Sequence, residues 1–382
     1  MRIALLVPTL EVGGVERVFA NLAGGLCRQG AEVDLVVGRT GGNMGAVVEK
    51  EVRVFDLNSE SMMRSVPRLA GYLRARDPDA LIAAMTHSTA AAVLARMIAR
   101  RNTRIVATEH NTMSRIVANT SGLKYRLMPM WSRWALNAAD ATVAVSAGVG
   151  DDVSTQTGIP RERFRVIYNP AITSTVHIGA EAPLDHPWFQ PGEPPVVLSV
   201  GRLDKQKDYP MLVRAFELVR RRRPARLVIL GEGSDRARIE ETVAQLGLGA
   251  DVSLPGTESN PYRFMSRSVV FAFSSQWEGF GVVLVEALAL GLPVVSTNCP
   301  HGPVEILCKG KFGVLVPPGD HVAMSEAILA AIDNPKRVDC SAHLRQFTLE
   351  NVAFEYVSLV KSLKEPSFET LETVGQNEPP VS

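Results

Sequence analysis

The pattern that most restricts this chain is an alternation of short apolar runs with longer helical stretches, and it occurs twice. In the first half, Ile3 to Val7 reads as a buried parallel strand, followed by a Gly-rich turn and a helix from about Val15 to Arg28. Val33 to Val37, Ala80 to Ala84, Ile105 to Thr108 and Ala141 to Val145 continue the strands, with helices around Ala90 to Arg100 and ending near Asn137. Such alternation gives a parallel sheet covered on both faces, because each parallel crossover needs a long connection that packs back on the sheet. The pattern then breaks. Pro170, Pro183, Pro187, Pro191, Pro194 and Pro195 crowd a stretch with little periodicity, which reads as an interdomain linker. The alternation restarts with strands at Val196 to Val200, Arg226 to Leu230, Val269 to Phe273 and Val294 to Thr297. Helices at Pro210 to Arg222, Asp235 to Leu246 and Val282 to Leu290 lie between them.

The chain of 382 residues, 46% of them hydrophobic, is long enough for two such cores, at about 150–200 residues each. The expectation is therefore two Rossmann-like α/β domains facing across a cleft. Residues 1–168 form the first domain, 169–195 the linker and 196–349 the second domain. Residues 350–364 form a helix that packs back on the first domain, and the polar stretch 365–382 is a disordered tail. Ligands of open parallel sheets bind outside the carboxyl ends of the strands, so the chemistry should sit in the loops that follow them.

Several classes are excluded early. A formal net charge of +1 offers no concentrated basic surface for nucleic acid. Cys27, Cys299, Cys308 and Cys340 form no CxxC pair, which argues against a zinc site or a disulfide framework and suits a reducing cytosol. The run Ile3 to Val7 ends at Pro8 with no small-residue cleavage site, so it reads as a strand rather than a signal peptide. No apolar stretch reaches the ~18 residues of a transmembrane helix.

Three loops carry the candidate chemistry. In Glu11-Val12-Gly13-Gly14-Val15-Glu16, paired glycines before a helix let backbone amides approach an anion, although a tight βα turn needs glycine in any case. No GxGxxG occurs there, against an ordinary NAD site. After Val200, Gly201-Arg202-Leu203-Asp204-Lys205-Gln206-Lys207-Asp208 holds an Arg and a Lys placed either to clamp a diphosphate or simply to be solvated. The most informative segment is Trp277-Glu278-Gly279-Phe280-Gly281-Val282-Val283-Leu284-Val285-Glu286. Its glycines offer free amides where a helix begins. Glu278 and Glu286 are spaced to reach opposite ends of one extended ligand, and carboxylates suit sugar and ribose hydroxyls. Glu286 as a mere helix-face charge is strained, since Val282, Val283, Val285, Leu288 and Leu290 around it are apolar.

Glu278 and Glu286 with Gly-Phe-Gly between them resemble the E-x7-E motif of the retaining family 4 glycosyltransferases. Gly13-Gly14, Gly201-Arg202 with Lys207, Gly231-Glu232-Gly233 and Gly291-Leu292-Pro293-Val294-Val295 match in order, up to about residue 364. The resemblance implies the GT-B fold and a transfer of sugar from a nucleotide diphosphate donor. It implies that Arg202 and Lys207 hold the diphosphate as it leaves. Glu278 and the backbone at Gly279, Phe280, Gly281 and Val282 would hold the transferred sugar, and Glu286 the ribose. Gly231-Glu232-Gly233 and the Leu254-Pro255-Gly256 loop would border the base, and Gly13 and Gly14 would let the first domain close on the phosphates. His110, in Thr108-Glu109-His110-Asn111, sits where the family keeps a histidine beside the sugar; a lone histidine is otherwise more often structural. His87, in Thr86-His87-Ser88 after another strand, is a candidate facing the acceptor. The same resemblance implies no cofactor and no metal, with cationic side chains and helix N-termini in the metal's place.

Asp77-Pro78-Asp79 looks like a DxD metal motif but precedes the strand Ala80 to Ala84, at the wrong end of the sheet, and reads as a turn. Arg220 to Arg223 sits at a helix C-terminus, where basic residues favour the helix dipole. The segment Asn298-Cys299-Pro300-His301-Gly302-Pro303-Val304-Glu305-Ile306-Leu307 looks like that of family members building bacterial surface polysaccharides and lipid-linked glycans. UDP-sugars are therefore the favoured donors, with GDP-mannose behind them, and a glycan or lipid-linked acceptor follows. Arg96, Arg100, Arg101 and Arg104, and Lys124, Arg126 and Arg133 among Tyr125, Leu127, Met128, Met130, Trp131 and Trp134, suit the anionic inner surface of the cytoplasmic membrane. An ordinary core-facing helix with basic ends is the alternative. Two rivals to a transferase are a UDP-sugar epimerase of the same architecture and a catalytically inactive scaffold that binds nucleotide sugars. Arg202, Lys207 and both glutamates, in this order, favour the transferase.

Overall fold

In a computed structural model, residues 1–10, 13–40, 48–120, 122–335 and 338–364 are described, which leaves the expected tail 365–382 and part of the first Gly-rich loop outside. Among the described residues the first sheet has seven strands: β1 (Arg2–Thr9), β2 (Glu32–Arg39), β3 (Arg53–Asp56), β4 (Ala80–Ala84), β5 (Arg104–Glu109), β6 (Ala141–Ala144) and β7 (Phe164–Val166). Their order is β3-β2-β1-β4-β5-β6-β7, and every pairing is parallel. The second sheet has six: β8 (Val196–Val200), β9 (Arg226–Leu230), β10 (Val252–Gly256), β11 (Val270–Phe273), β12 (Val294–Thr297) and β13 (Val314–Val316). It is parallel too, in the order β10-β9-β8-β11-β12-β13. Both sheets reverse direction beside their first strand, so each opens a crevice at its carboxyl edge.

The central strands are apolar throughout because helices cover both faces. Ile3 to Val7 and Ala80 to Ala84 are all fully buried. The strands the sequence did not announce are β3, β7, β10 and β13, the four edges of the two sheets. Edge strands are short and partly exposed, so they lack the continuous apolar run that marks an inner strand. Leu254, Pro255 and Gly256, expected as a loop, are the carboxyl end of edge strand β10, where a proline costs no ladder hydrogen bond to a further neighbour.

Other expectations shift as well. The helix expected from Ala90 runs Met85–Ala99, directly off β4, so Thr86, His87 and Ser88 belong to its first turn and not to a loop. Residues 169–195 are not a bare linker. They carry the helix Ser174–Glu181 and the short turn Pro187–Phe189. Asn260 Nδ2 donates to the Gly179 carbonyl at 2.9 Å, and His186 packs against Trp188, Phe189 and Phe264, so this stretch is fastened to the second domain. The closing helix Leu349–Ser362 buries Val352, Ala353, Tyr356 and Val360 in the first domain's core beside Leu22 and Leu26. The chain thus crosses between domains twice side by side, with Ile172 bridged to Thr348. Tyr168, Phe280 and Phe347 stack at 5.0–5.6 Å at that crossing.

Asp77-Pro78-Asp79 and Arg220 to Arg223 are structural. Asp77 ends the helix Val66–Arg76 in a left-handed conformation, and Asp79 accepts from the Arg2 amide at 2.7 Å and pairs with Lys364, all at the amino edge of the sheet. Arg220, Arg221, Arg222 and Arg223 pair respectively with Asp251, Glu217, Glu326 and Asp333. No helix among the described residues is long and apolar enough to cross a membrane.

Candidate active site

The loops that leave the carboxyl ends of both sheets meet along one seam. From the second domain, β11 delivers Ser274 to Gly281 and the helix Val282–Ala289. Gly281, at φ 101, makes the turn into that helix in a conformation that disfavours any side chain. Glu278 is 7% exposed, and its Oε1 accepts from Lys207 Nζ at 2.6 Å and from Ser275 Oγ at 2.7 Å. Gln206 Nε2 donates to the Trp277 carbonyl at 2.8 Å, so the loop after β8 and the loop after β11 are tied together. Lys207 lies 3.3 Å, at Cε, from where a Gly201 side chain would begin, and its ammonium stands over the Phe273 ring at 5.0 Å from its centre. Arg202 itself is extended: its side chain is 70% exposed and pairs with Asp204 at 3.1 Å. The Gly231 amide donates to the Gly256 carbonyl and the Leu203 amide to the Glu232 carbonyl, both at 2.8 Å. The two segments expected to border the base therefore adjoin each other and the loop after β8, with Pro255 exposed at their rim and Glu232 ion-paired to Arg236.

The first domain presses on the same loop. Thr112 Oγ1 donates to the Glu278 carbonyl at 2.8 Å and Ser146 Oγ to the Gly279 carbonyl at 2.7 Å. A Cβ on Gly279 would collide with the backbone carbonyl of His110, so glycine is required there by close approach. His110 is buried against Phe19; its Nε2 meets Thr108 Oγ1 at 2.9 Å, while Nδ1 has no hydrogen-bond partner. Burial holds its pKa down to about 4, so the ring is neutral. Glu109 beside it is buried with only Thr86 Oγ1 donating to it, and burial lifts its pKa to about 7. Glu305 reaches back across the seam, and its carboxylate accepts from the Ala147 and Gly148 amides at 2.9 and 3.0 Å, at the N-terminus of the helix Ala147–Thr157.

Glu286 is 1% exposed on the buried side of its helix. Its Oε1 accepts from Tyr262 Oη at 2.8 Å and from Arg17 at 3.1 Å, whereas Oε2 is buried without a partner. Burial raises its pKa, and Arg17 opposes that rise.

Of the expected residues, Lys207, Glu278, Gly279 and His110 converge, and Glu286 lies on the helix that follows Gly281. The Phe280 ring points away into the interdomain core, so only its backbone faces the seam. Gly13 precedes the helix Gly14–Arg28, and a side chain on Gly14 would meet nothing within 4 Å. His87 is exposed one turn into its helix. Arg17, Thr112, Ser146 and Tyr262 went unread because each is a common residue type on an ordinary helix or loop; Glu305 lay inside a segment read only for its likeness to a family. A cavity of about 300 Å³ opens beside the seam between Arg115, Gln276, Trp277, Pro300, Pro318 and Gly319. A larger one of about 470 Å³ lies at the amino ends of β12 and β13, at the far edge from these loops. No group of three or more His, Cys, Asp or Glu among the described residues is placed to hold a metal.

Comparison with known proteins identifies relatives of both halves of the chain. Residues 12–174 match the family model of Glycosyltransferase Family 4, and residues 184–346 match that of Glycosyl transferases group 1. The chain is 37% identical over 140 residues to the Campylobacter jejuni N-acetylgalactosamine-N,N'-diacetylbacillosaminyl-diphospho-undecaprenol 4-alpha-N-acetylgalactosaminyltransferase, covering 37% of this chain and 38% of that one. It is 23% identical over 381 residues to a second protein of that organism, the GalNAc-alpha-(1->4)-GalNAc-alpha-(1->3)-diNAcBac-PP-undecaprenol alpha-1,4-N-acetyl-D-galactosaminyltransferase, covering 95% of this chain and 99% of that one. Several curated relatives are matched over only 34% to 64% of their own length. The fold is that of the crystal structure of Anabaena HepE in complex with UDP and glucose, with a TM-score of 0.75 and 21% identity, covering 95% of this chain and 100% of that one.

Proposed function

The chain belongs to the family 4 glycosyltransferases, and we propose that it is a retaining enzyme moving a hexose or N-acetylhexosamine from a UDP-sugar to a glycan or lipid-linked acceptor. The observation that carries this reading is a pair of buried, unpartnered polar atoms, Glu286 Oε2 on the second domain and His110 Nδ1 on the first. A buried acceptor left unsatisfied costs about 1–3 kcal/mol, and ribose and sugar hydroxyls are donors of the kind both atoms lack. Lys207 and Glu278 lie on the loops between them, so an extended nucleotide sugar would run from Glu286 past Lys207 to Glu278 and His110. Support for UDP comes from the HepE structure with UDP and glucose, and support for retention from the alpha linkages in the names of the two Campylobacter relatives.

In this reading the bond from the anomeric carbon to the β-phosphate oxygen breaks first. Lys207 turns from Glu278 to the departing diphosphate and Arg202 swings in from solvent, so fixed positive charge meets the negative charge as it forms. Backbone amides at Gly281 and Val282, where the helix begins, add their dipoles in place of a metal. The acceptor hydroxyl attacks on the face the diphosphate leaves, and its proton passes to a phosphate oxygen. The neutral His110 ring and Glu278 hold the sugar, and the closed seam keeps water out.

The first domain carries an exposed apolar face. Leu123, Leu127, Met130, Trp131 and Trp134 are 37–69% exposed at helical spacing over the helices Leu123–Arg126 and Met128–Ala138. We assign this face to the membrane that carries a lipid-linked acceptor, with Arg126 at its edge. Four of the six arginines expected to help are occupied: Arg96 and Arg104 pair with Asp140, Arg101 with Asp77, and Arg133 donates to the Thr157 carbonyl.

The test is turnover of UDP-glucose, UDP-galactose, UDP-GlcNAc and UDP-GalNAc with a polyprenyl-diphosphate glycan, with EDTA present and the product read by NMR. An alpha-linked product from an alpha donor supports the proposal. A beta-linked product overturns retention, and an isomerised UDP-sugar formed without acceptor points to the epimerase.

A further inference from the structure

Arg17 belongs to the first domain, one turn into the helix Gly14–Arg28, yet its guanidinium lies on Glu286 of the second. It donates to Glu286 Oε1, meets the Tyr262 hydroxyl, and stands over the Tyr262 ring at 5.5 Å from its centre. Among the described residues, Glu286 is the only carboxylate with which it pairs. The two partners differ in exposure, 37% for Arg17 against 1% for Glu286, so the arginine comes to a preformed buried acid from the cleft side. A buried carboxylate with no cation is costly, and Tyr262, which is neutral, cannot offset its charge. Oε1 is thus saturated by Tyr262 and Arg17, and Oε2 alone is left to take a ligand donor.

We propose that Arg17 is a positioning residue that couples closure of the two domains to recognition of the donor ribose, by holding Glu286 through Oε1 so that a single ribose hydroxyl meets Oε2. This rests on the reading of Glu286 as the ribose acceptor. Two consequences separate it from a simple surface ion pair. One ribose hydroxyl matters far more than the other while Arg17 is present. Without Arg17 the nucleotide still finds the second domain, where Arg202, Lys207 and Glu286 all reside, but the first domain loses its hold on that site.

The experiment compares wild type, Arg17→Met and Arg17→Lys by three measurements: calorimetric binding of UDP, 2′-deoxy-UDP and 3′-deoxy-UDP; the contraction in X-ray scattering on adding UDP; and kcat separately from donor KM. Arg17→Met is expected to bind UDP within about threefold of wild type, to lose the contraction, and to lose about thirtyfold in kcat, within the usual span of coupling between sites. Arg17→Lys, which restores a cation on Oε1, should recover the contraction and most of kcat. Wild type should be weakened by one deoxy analogue and not the other, and Arg17→Met should lose that asymmetry. If Arg17→Met contracts and turns over like wild type, or the asymmetry survives in it, the coupling role is wrong. If wild type binds no UDP, the ribose reading of Glu286 fails first, and the two failures are told apart by that arm alone.

Discussion

At the scale of single residues, the close approach between the domains at Gly279 makes the sharpest prediction. Gly279→Ala places a methyl group against the His110 carbonyl, and neither backbone can yield without opening the seam. The contact lies between domains, so each domain should melt as before while kcat/KM falls by about 100-fold, the usual effect of misplacing reacting groups by an ångström. Initial rates and calorimetric unfolding check this together; unchanged rates would remove Gly279 from the site. The neighbours Glu109 and His110 predict a pH effect. Glu109 is raised from 4.5 to about 7 in the folded protein, so its contribution to stability is complete below about pH 4.5 and is lost as the pH rises through 7. His110 is lowered from 6.5 to about 4, so its contribution is complete above 6.5 and is lost as the pH falls through 4. The two oppose each other between about pH 4.5 and 6.5. Glu109→Gln removes only the first: relative to wild type it should gain roughly 3 kcal/mol in urea unfolding between pH 4.5 and 7.5. A constant difference across that range would mean that Glu109 titrates normally. The sequence marked Glu278 and Glu286 by their spacing and by the apolar residues around Glu286, whereas Lys207 and His110 were marked by the resemblance to the family. It could not mark Arg17 or Ser146, whose roles arise only when the two domains meet.

At the scale of elements, Glu305 and the helix Ala147–Thr157 form a cross-domain clamp, a carboxylate on two free helix amides. Glu305→Gln keeps the shape and removes the charge, and should lower the free energy of unfolding by about 1 kcal/mol, with Glu305→Ala costing more. Denaturant titration measures both; identical midpoints in all three proteins would show the contact to be idle. The amphipathic stretch Leu123 to Trp134 makes a separate prediction. Replacing Trp131 and Trp134 by Ser should reduce binding to anionic liposomes by at least about tenfold, since two exposed aromatic side chains are removed from the bilayer contact. Turnover of a water-soluble acceptor analogue should be unchanged. Liposome flotation that does not respond would assign the face to something other than lipid. The inner strands were legible because burial on both faces demands unbroken apolar runs, as in Ile3 to Val7. The edges β3, β7, β10 and β13 were not, since Arg53–Asp56 and Val252–Gly256 have one open side and polar or proline residues in it. The stretch 169–195 misled for a related reason: its prolines describe local turns, while Asn260 and Phe264 from the second domain fasten it.

At the scale of the molecule, the seam is the unit that matters. Thr112, Ser146, Glu305 and Arg17 all cross it, and the crossing strands at Ile172 and Thr348 lie beside the aromatic stack of Tyr168, Phe280 and Phe347. That arrangement sets a packed apolar crossing beside polar contacts between the loops of the two domains. Doubled alternation announced two such domains from the sequence, but which faces meet depends on contacts far apart in the chain, such as Arg17 with Glu286. The proposed function requires that the second domain grip a uridine diphosphate through Arg202, Lys207 and Glu286 without a metal. Calorimetric titration of UDP, GDP and ADP in EDTA, repeated with Arg202→Ala, tests it most directly. UDP should bind in preference to the other two, and the variant should lose about tenfold or more, the loss expected for a charge-assisted contact to phosphate. Failure of every nucleoside diphosphate to bind, or equal UDP affinity in wild type and variant, would contradict the account.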